Sequence, residues 1–196
     1  MKCCGVAELV QQLLCNASPD RLESNSTWEQ GVMRPEFRIS EIFLRHCLNC
    51  RDPGVGHERT IAISDLLQNN TFAPVGHDHG PYRLNIELEE GMLAMQITDD
   101  AGEHVTMHHL SLSLFGRLLR DYTRVCECYF EAIRFPGLQH LEELDCGRRN
   151  IHNKASELLR ENLSSAVRVD HDTARRLFTL IYSLLPRRTT HPFPAN

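Results

Sequence analysis

The segment from Phe72 to Leu84, FAPVGHDHGPYRL, carries the residues of this chain that are best suited to chemistry. His77 could act as a general base because imidazole titrates near neutral pH, and the neighbouring carboxylate of Asp78 could orient it. Neighbours in sequence rarely pair in that way, so we favour the simpler interpretation that Asp78 accepts backbone hydrogen bonds in a glycine-shaped turn. Tyr82 and Arg83 follow directly, and such a loop before a strand predicts a place where a site could lie.

Arginines recur in two further segments, GRRNIHN and DHDTARR. If the first segment is helical, Arg148 falls within an apolar stripe, so its guanidinium points toward the core side and needs a partner. That partner could be Asp170, Asp172, Glu131 or a bound anion, and a structural ion pair is the interpretation we favour. If some guanidinium N–H groups remain unpaired, the arginines and His152 would form a small cationic pocket. Such a pocket could hold phosphate or carboxylate through forked hydrogen bonds. The candidate ligand-binding residues of the chain are His77, Asp78, Tyr82, Arg83, Arg148, Arg149, His152, Asp170, Asp172, Arg175 and Arg176.

Histidine and cysteine pairs such as His77 with His79 suggest a metal site, but their spacing argues against one. Zinc takes about four nitrogen or sulfur ligands, usually from short spacings that recur along the chain, and no such recurrence is present. On a helix, Cys126 and Cys128 would point about 200° apart, which makes a poor chelate. The chain also has no Gly-x-Ser-x-Gly, His-Glu-x-x-His, Walker or dinucleotide-binding pattern. We therefore predict no metal ion and no cofactor.

Composition and charge narrow the class of protein. The 196 residues are 41% hydrophobic and 24% charged, with a formal net charge of −5. This balance argues against a general nucleic-acid surface, and the short apolar runs argue against a membrane segment. The first residues lack the basic flank of a secretory signal, so we expect a cytoplasmic protein whose cysteines are reduced thiols. We expect a poorly ordered extension over residues 1–35, one α+β domain over residues 36–186 and a tail over residues 187–196.

Alternating apolar residues predict the strands that must position these groups. In YRLNIELE, apolar residues from Tyr82 to Leu88 alternate with polar ones, which is typical of a strand with one buried face. The pair Glu90–Gly91 then connects this strand to a second alternating run, LAMQI, as in an antiparallel hairpin. A third extended run over residues 104–109 completes a predicted meander, and an extended segment over residues 37–44 could add a fourth strand.

Helical spacing dominates the chain after the meander. Apolar residues recur every three or four positions from Phe115 to Ile133, from Leu138 to Leu163 and in a final helix capped by Asp170. Strands gathered in the middle and helices gathered afterwards indicate an α+β fold. We predict an antiparallel β-meander of three to four strands with three long helices packed on one face.

Several blocks of the sequence are distinctive together, among them HERTIAISDLL, FAPVGHDHGPYRL, CECYFEAIR, GRRNIHN and DTARRLFTL. They resemble the uncharacterised protein family 0262 of proteobacteria, and the similarity runs from about Phe37 to Leu185. The resemblance implies a bacterial protein with one coherent domain, and it implies no activity, cofactor or partner. The chain differs from the family pattern at His79, where the family has glycine, and at Cys128 and Cys146, where it has other residues.

These patterns predict a non-enzymatic binding or regulatory domain with a polar patch for an anionic ligand or a protein partner. The patch would combine the segment from His77 to Arg83 with Arg148, Arg149 and His152, and the carboxylates of DHDTARR would orient the arginines. An alternative is a small hydrolase or transferase in which His77 or His152 acts as general base on a phosphorylated substrate. A third is a structural subunit whose arginines pair internally and whose helix faces extend into an oligomer contact.

Overall fold

The computed structural model describes three stretches of the chain, residues 36–45, 53–134 and 141–185. They fall into two compact units. The sheet unit holds the described residues up to 113 and from 156 onward, and the helical unit holds those between 114 and 155. The predicted extension over residues 1–35 and the tail over residues 187–196 lie outside the described residues. That residues 36–186 form a single domain stays a prediction.

The described stretches contain both strands and α-helices, and the α+β class predicted from the sequence is confirmed. In chain order they are β1 (Ile39–Arg45), α1 (Pro53–Gln68), β2 (Phe72–Pro74), β3 (Tyr82–Glu89), β4 (Met92–Asp99), β5 (His104–Ser111), α2 (Gly116–Arg134), α3 (Leu141–Leu163), β6 (Val167–Val169) and α4 (His171–Leu184). A 3-10 turn, Leu112–Phe115, leads from β5 into α2.

The main sheet has four strands in the order β1-β3-β4-β5. The predicted meander is confirmed, because β3 pairs antiparallel with β4, and β4 pairs antiparallel with β5. β1 pairs with β3 in parallel, which differs from the antiparallel arrangement predicted for the sheet. Parallel neighbours need a crossover connection, and here the chain passes through α1 and β2 before it returns to β3.

The turn between β3 and β4 fixes the register of the hairpin. It consists of Glu90 and Gly91, as predicted, and both residues have positive φ, 47° and 80°. Positive φ at both positions matches the twist of a two-residue hairpin, and glycine adopts it without steric cost. The resulting register puts Leu84 opposite Ile97 and Ile86 opposite Met95, so apolar side chains meet on one face.

The two faces of the main sheet differ in burial. Tyr82, Leu84, Met95 and Ile97 are fully buried on one face. On the other face, side chains such as Arg83 are half-buried or exposed. Because successive side chains of a strand point to opposite faces, any two neighbours in β3 are presented on different sides of the sheet.

Two helices of the sheet unit pack against each other, and one of them follows a short two-stranded ribbon. β2 and β6 form this ribbon as an antiparallel pair, and α4 follows β6 directly. α1 packs against α4 and contacts β1, and the buried side chain of Arg59 donates to the carbonyl of Ser183 at 3.2 Å. None of the described helices combines the length and the apolarity that a membrane crossing requires.

Candidate functional site

The loop between β2 and β3 presents His77 and Asp78. Gly76 turns the chain with a φ of 80°, and the backbone N–H of His77 donates to the carbonyl of Pro74 at 3.4 Å. Asp78 is predicted to accept backbone hydrogen bonds, but its carboxylate accepts none from the described residues. Asp78 is exposed, so water solvates its carboxylate, and the backbone itself closes the turn. Within the described stretches, no ion pair joins His77 to Asp78 either.

His77 contacts Tyr82 instead. Its Nδ1 lies 3.2 Å from the hydroxyl oxygen of Tyr82, and the two ring centroids are 5.5 Å apart. Burial, reinforced by the nearby carboxylate of Asp78, raises the pKa of Tyr82 to about 12. The phenol therefore stays protonated at neutral pH, and its O–H donates to Nδ1 when the imidazole proton is on Nε2. The structure thus brings together two of the sequence-predicted site residues, His77 and Tyr82.

Gly80 holds this loop against the chain that precedes β1. A Cβ atom at Gly80 would overlap the carbonyl oxygen of Glu36 and lie 2.8 Å from its carbonyl carbon. Backbone atoms cannot yield as a flexible side chain can, so only glycine fits. The Gly80–Pro81 peptide is cis, and the N–H of Tyr82 donates to the carbonyl of Arg38 at 2.9 Å. This close passage of two backbones sets the position of the loop.

Arg83 lies apart from the contact between His77 and Tyr82. It follows Tyr82 in β3 and therefore leaves the sheet on the opposite face. Its Nε lies 3.3 Å from a carboxylate oxygen of Glu41 and 3.9 Å from one of Asp100. One guanidinium between two carboxylates leaves this group with a net negative charge, which does not favour an anionic ligand.

The DHDTARR segment opens α4, and its first carboxylate has a structural task. Asp170 caps the helix as predicted, because its side chain accepts from the backbone N–H of Thr173 at 2.6 Å. Asp172 is exposed, and Arg175 and Arg176 are half-buried one turn later. The carboxylate of Asp170, which was predicted as a candidate partner for the arginines of α3, is therefore engaged in capping α4.

The short ribbon separates this segment from the loop that carries His77. Phe72 pairs with Val169 and Pro74 pairs with Val167, so β2 leaves the ribbon where β6 enters it. Two residue steps along a strand span about 7 Å. The start of α4 and the loop of His77 thus extend from opposite ends of the ribbon.

Arg148 and Arg149 share one carboxylate in the helical unit. Nη2 of Arg148 lies 2.7 Å from Oδ1 of Asp145, and Nη2 of Arg149 lies 2.8 Å from Oδ2 of the same side chain. The hydrogen bond from Arg148 is the main cause that lowers the pKa of Asp145, and the charge of Arg149 adds to it. Asp145 is therefore ionised at neutral pH and bridges the two guanidiniums.

Aromatic rings of α2 surround Arg148. Its Cζ lies 5.5 Å from the centroid of the Tyr129 ring, which is within the range of a cation–π interaction. The guanidinium also forms a hydrogen bond with Tyr122, whose ring lies 5.7 Å from that of His152. Burial and the neighbouring Cys126 raise the pKa of Tyr122, so its phenol stays neutral. The structure thus places His152 and Arg148 around one tyrosine.

Donor groups remain unused in this arrangement. Nε of Arg148 is buried, and no hydrogen-bond partner for it occurs in the described part of the chain. The side chain of Arg149 is 62% exposed, and among the described residues Asp145 is its ionic partner. A guanidinium carries several N–H donors, of which Asp145 engages few. The cluster formed by Asp145, Arg148 and Arg149, here called the arginine cluster, therefore has spare donors.

Asp145, Tyr122 and Tyr129 were not among the site residues predicted from the sequence. The predicted carboxylate partners of Arg148 were Asp170, Asp172 and Glu131, whereas its partner among the described residues is Asp145. The signal was available, because carboxylates three and four residues before an arginine on a helix are its natural neighbours. Tyr122 and Tyr129 were missed as site residues for another reason, since their spacing is that of an apolar helix stripe.

Within the part of the chain that the structure describes, the histidine and cysteine pairs do not gather into a ligand set. The described residues contain no group of three or more His, Cys, Asp or Glu side chains that could hold a metal ion. The rings of His77 and His79 lie edge to face at 6.4 Å. His108 and His109 are consecutive in β5, so they leave the sheet on opposite faces.

Comparison with known proteins identifies one family. A model of the family described as Uncharacterised protein family (UPF0262) matches residues 36–187. A UPF0262 protein of Rhizobium etli is 46% identical over 146 residues, which cover 74% of this chain and 93% of the relative. A UPF0262 protein of Rhizobium johnstonii is 47% identical over 150 residues, which cover 76% of this chain and 96% of the relative. A UPF0262 protein of Brucella anthropi is 44% identical over 148 residues, which cover 75% of this chain and 92% of the relative. No solved structure matches the chain.

Proposed function

Since this chain belongs to the uncharacterised family UPF0262, we propose a function from the geometry of its site. We propose a non-enzymatic binding or regulatory domain that holds an anionic ligand or partner through Arg148 and Arg149. The observation that carries the proposal is the sharing of Asp145 between the two guanidiniums. Two positive charges against one negative charge leave an excess of one positive charge, which favours an anion.

The arrangement of donors supports the same proposal. Arg148 is positioned by Asp145, by the ring of Tyr129 and by a hydrogen bond with Tyr122. A guanidinium held in this way loses little conformational freedom when it binds a ligand. Arg149 is exposed and can reach toward solvent, so the pair combines a fixed donor with an accessible one. Forked guanidinium donors match the geometry of carboxylate and phosphate oxygens.

The loop of His77 belongs to the sheet unit, and the arginine cluster belongs to the helical unit. The patch that would combine the two stays a prediction, and the proposal does not depend on it. We also propose that the protein is cytoplasmic, as expected from its sequence.

The alternative, a hydrolase or transferase, has one observation in its favour. His77 and Tyr82 form an imidazole–phenol pair at 3.2 Å, which could pass a proton. A phenol with a pKa of about 12 is a weak acid at neutral pH, so this pair would act better as a general base than as a general acid. Hydrolysis of p-nitrophenyl phosphate that is lost in both His77→Gln and Tyr82→Phe would favour the enzyme over the binding domain.

Thermal denaturation of the full chain with inorganic phosphate tests the binding function. A ligand that binds only the folded state, present at tenfold its dissociation constant, adds about 1.4 kcal/mol to the free energy of unfolding, or about 3–6 °C in Tm for a chain of this size. We expect this rise for the wild type and its loss in Arg149→Ala. Arg149 is exposed, so its replacement should leave the protein folded.

A matched control variant distinguishes phosphate binding at the arginine cluster from a general effect of positive surface charge. Arg117 is also in the helical unit, is 85% exposed and pairs with Asp121 at 3.8 Å, so Arg117→Ala removes the same charge beside a carboxylate. The proposal requires Arg117→Ala to keep the full phosphate response. A wild type without any response, or equal losses in both variants, would reject binding at the arginine cluster.

A further inference from the structure

Asp145 occupies the place that a bound anion would take. Its two oxygens reach one guanidinium each, at 2.7 Å and 2.8 Å, which is how a carboxylate or phosphate ligand would engage the pair. The three residues lie on one helix at positions i, i+3 and i+4, so this contact forms within a single turn of α3. An anion must therefore compete with a carboxylate that is always present at high effective concentration.

On the basis of the proposed function, we propose that Asp145 is an internal competitor that makes the arginine cluster selective for phosphate-type dianions over carboxylates. A free carboxylate that replaced Asp145 would regain only the bonds that Asp145 gives up, and it would pay the entropy of association as well. A phosphate-type dianion brings a second charge and more oxygens. It can bond both guanidiniums and still reach N–H donors that Asp145 leaves unused, such as those of the exposed Arg149 side chain.

Displacement of Asp145 is structurally simple. Its side chain is 28% exposed, and within the described stretches its ionic and hydrogen-bond partners are Arg148 and Arg149. A change of side-chain rotamer takes the carboxylate into water, and the backbone of α3 stays as it is. The exchange therefore needs neither unfolding nor a change in the packing of α3.

Dissociation constants of the full chain for inorganic phosphate and for acetate test this inference. They are measured by NMR titration at constant pH and ionic strength for the wild type and for Asp145→Asn, which keeps the shape but removes the charge. We expect the wild type to bind phosphate and not acetate. Asp145→Asn should bind phosphate about tenfold more tightly, as expected for removal of a like charge within a few ångströms of the ligand, and it should also bind acetate.

Two control variants separate competition from a change in net charge. Asp145→Glu keeps a carboxylate within reach of both arginines and should behave as the wild type does. Glu142→Gln removes the same charge one turn earlier on α3, at an exposed position, and should change phosphate affinity far less than Asp145→Asn does.

The outcomes distinguish this inference from the function on which it rests. If the wild type binds phosphate and Asp145→Asn binds it equally or more weakly, Asp145 organises the site instead of competing, and the inference fails while the proposed function stands. Acetate binding by the wild type, or an equal gain in Glu142→Gln, also rejects it. If neither the wild type nor Asp145→Asn binds phosphate, the inference and the proposed function fail together.

Discussion

Replacement of Gly80 by alanine should destabilise the protein because the new methyl group would meet backbone and not a side chain. The Cβ atom would overlap the carbonyl oxygen of Glu36 and would also lie 3.1 Å from the ring of Tyr82. Either the loop or the segment before β1 must then move by roughly an ångström, a change that a close-packed interior resists. The hydrogen bond from the N–H of Tyr82 to the carbonyl of Arg38 lies within the part that would move.

The size of the effect follows from two opposing terms. Overpacking of a well-packed region costs about 1–3 kcal/mol. Alanine also restricts the unfolded chain relative to glycine, which returns about 0.4–1 kcal/mol. We therefore expect Gly80→Ala to lower the free energy of unfolding by about 1–2 kcal/mol, equivalent to a fall in Tm of about 2–8 °C for a chain of this length.

Urea denaturation of the full chain, followed by circular dichroism, measures this loss. Gly116→Ala is the matched control, because Gly116 begins α2 and its Cβ would meet only the end of the Arg120 side chain at 3.5 Å. Alanine has the higher helix propensity, so Gly116→Ala should be neutral or stabilising by up to about 1 kcal/mol. If Gly80→Ala is as stable as the wild type, the two backbones do not pass as closely as described.

Three further predictions concern the sheet unit. The pKa of His108 is lowered, first by burial and second by the charge of His109, so the unfolded chain takes up a proton at the ordinary value of 6.5 while the folded chain resists it. The free energy of unfolding should therefore fall as the pH drops below about 6.5. pH-dependent urea unfolding should show a shallower fall in His108→Gln and a smaller change in the same direction in His109→Gln, which removes only the second cause. Asp170→Ala removes the cap of α4 and should cost about 1 kcal/mol in urea unfolding, whereas Asp172→Ala, exposed in the same turn, should stay within about 0.5 kcal/mol of the wild type. Tyr82→Phe removes the hydroxyl group that is hydrogen-bonded to His77, and it should lower the free energy of unfolding by about 1 kcal/mol at pH 7. The pKa of Tyr82 rises from 10.0 to about 12 on folding, so the wild type should also lose stability as the pH rises between these two values. Tyr82→Phe should lose less stability over the same pH range.

The hairpin could be predicted because local patterns determine it. Strict alternation from Tyr82 onward marks one buried face, and a Glu-Gly pair supplies the positive φ that a tight turn requires. The parallel direction of β1 has no such local signal. It depends on the crossover through α1 and on which edge of β3 remains open, and both are properties of the whole sheet unit.

The candidate site could be predicted only in part, because residue type is a local signal whereas the partners of a side chain depend on the fold. The sequence indicated His77, Tyr82, Arg148 and Arg149 by residue type, but it could not show that Tyr82 and Arg83 leave β3 on opposite faces with different partners. That separation follows from the strand geometry once the bounds of β3 are known. The role of Asp145 was within reach of sequence reasoning, because its spacing from both arginines is that of neighbouring helix turns.

The most direct test of anion binding at the arginine cluster observes the guanidiniums themselves. Nitrogen–proton NMR spectra of arginine Nε–H groups are recorded on the full chain while inorganic phosphate is added at constant pH and ionic strength. The signals of Arg148 and Arg149 should move and then saturate, while that of Arg117 should stay in place. Signals that do not move, or a common unsaturated drift of all three, would contradict binding of an anion at these two arginines.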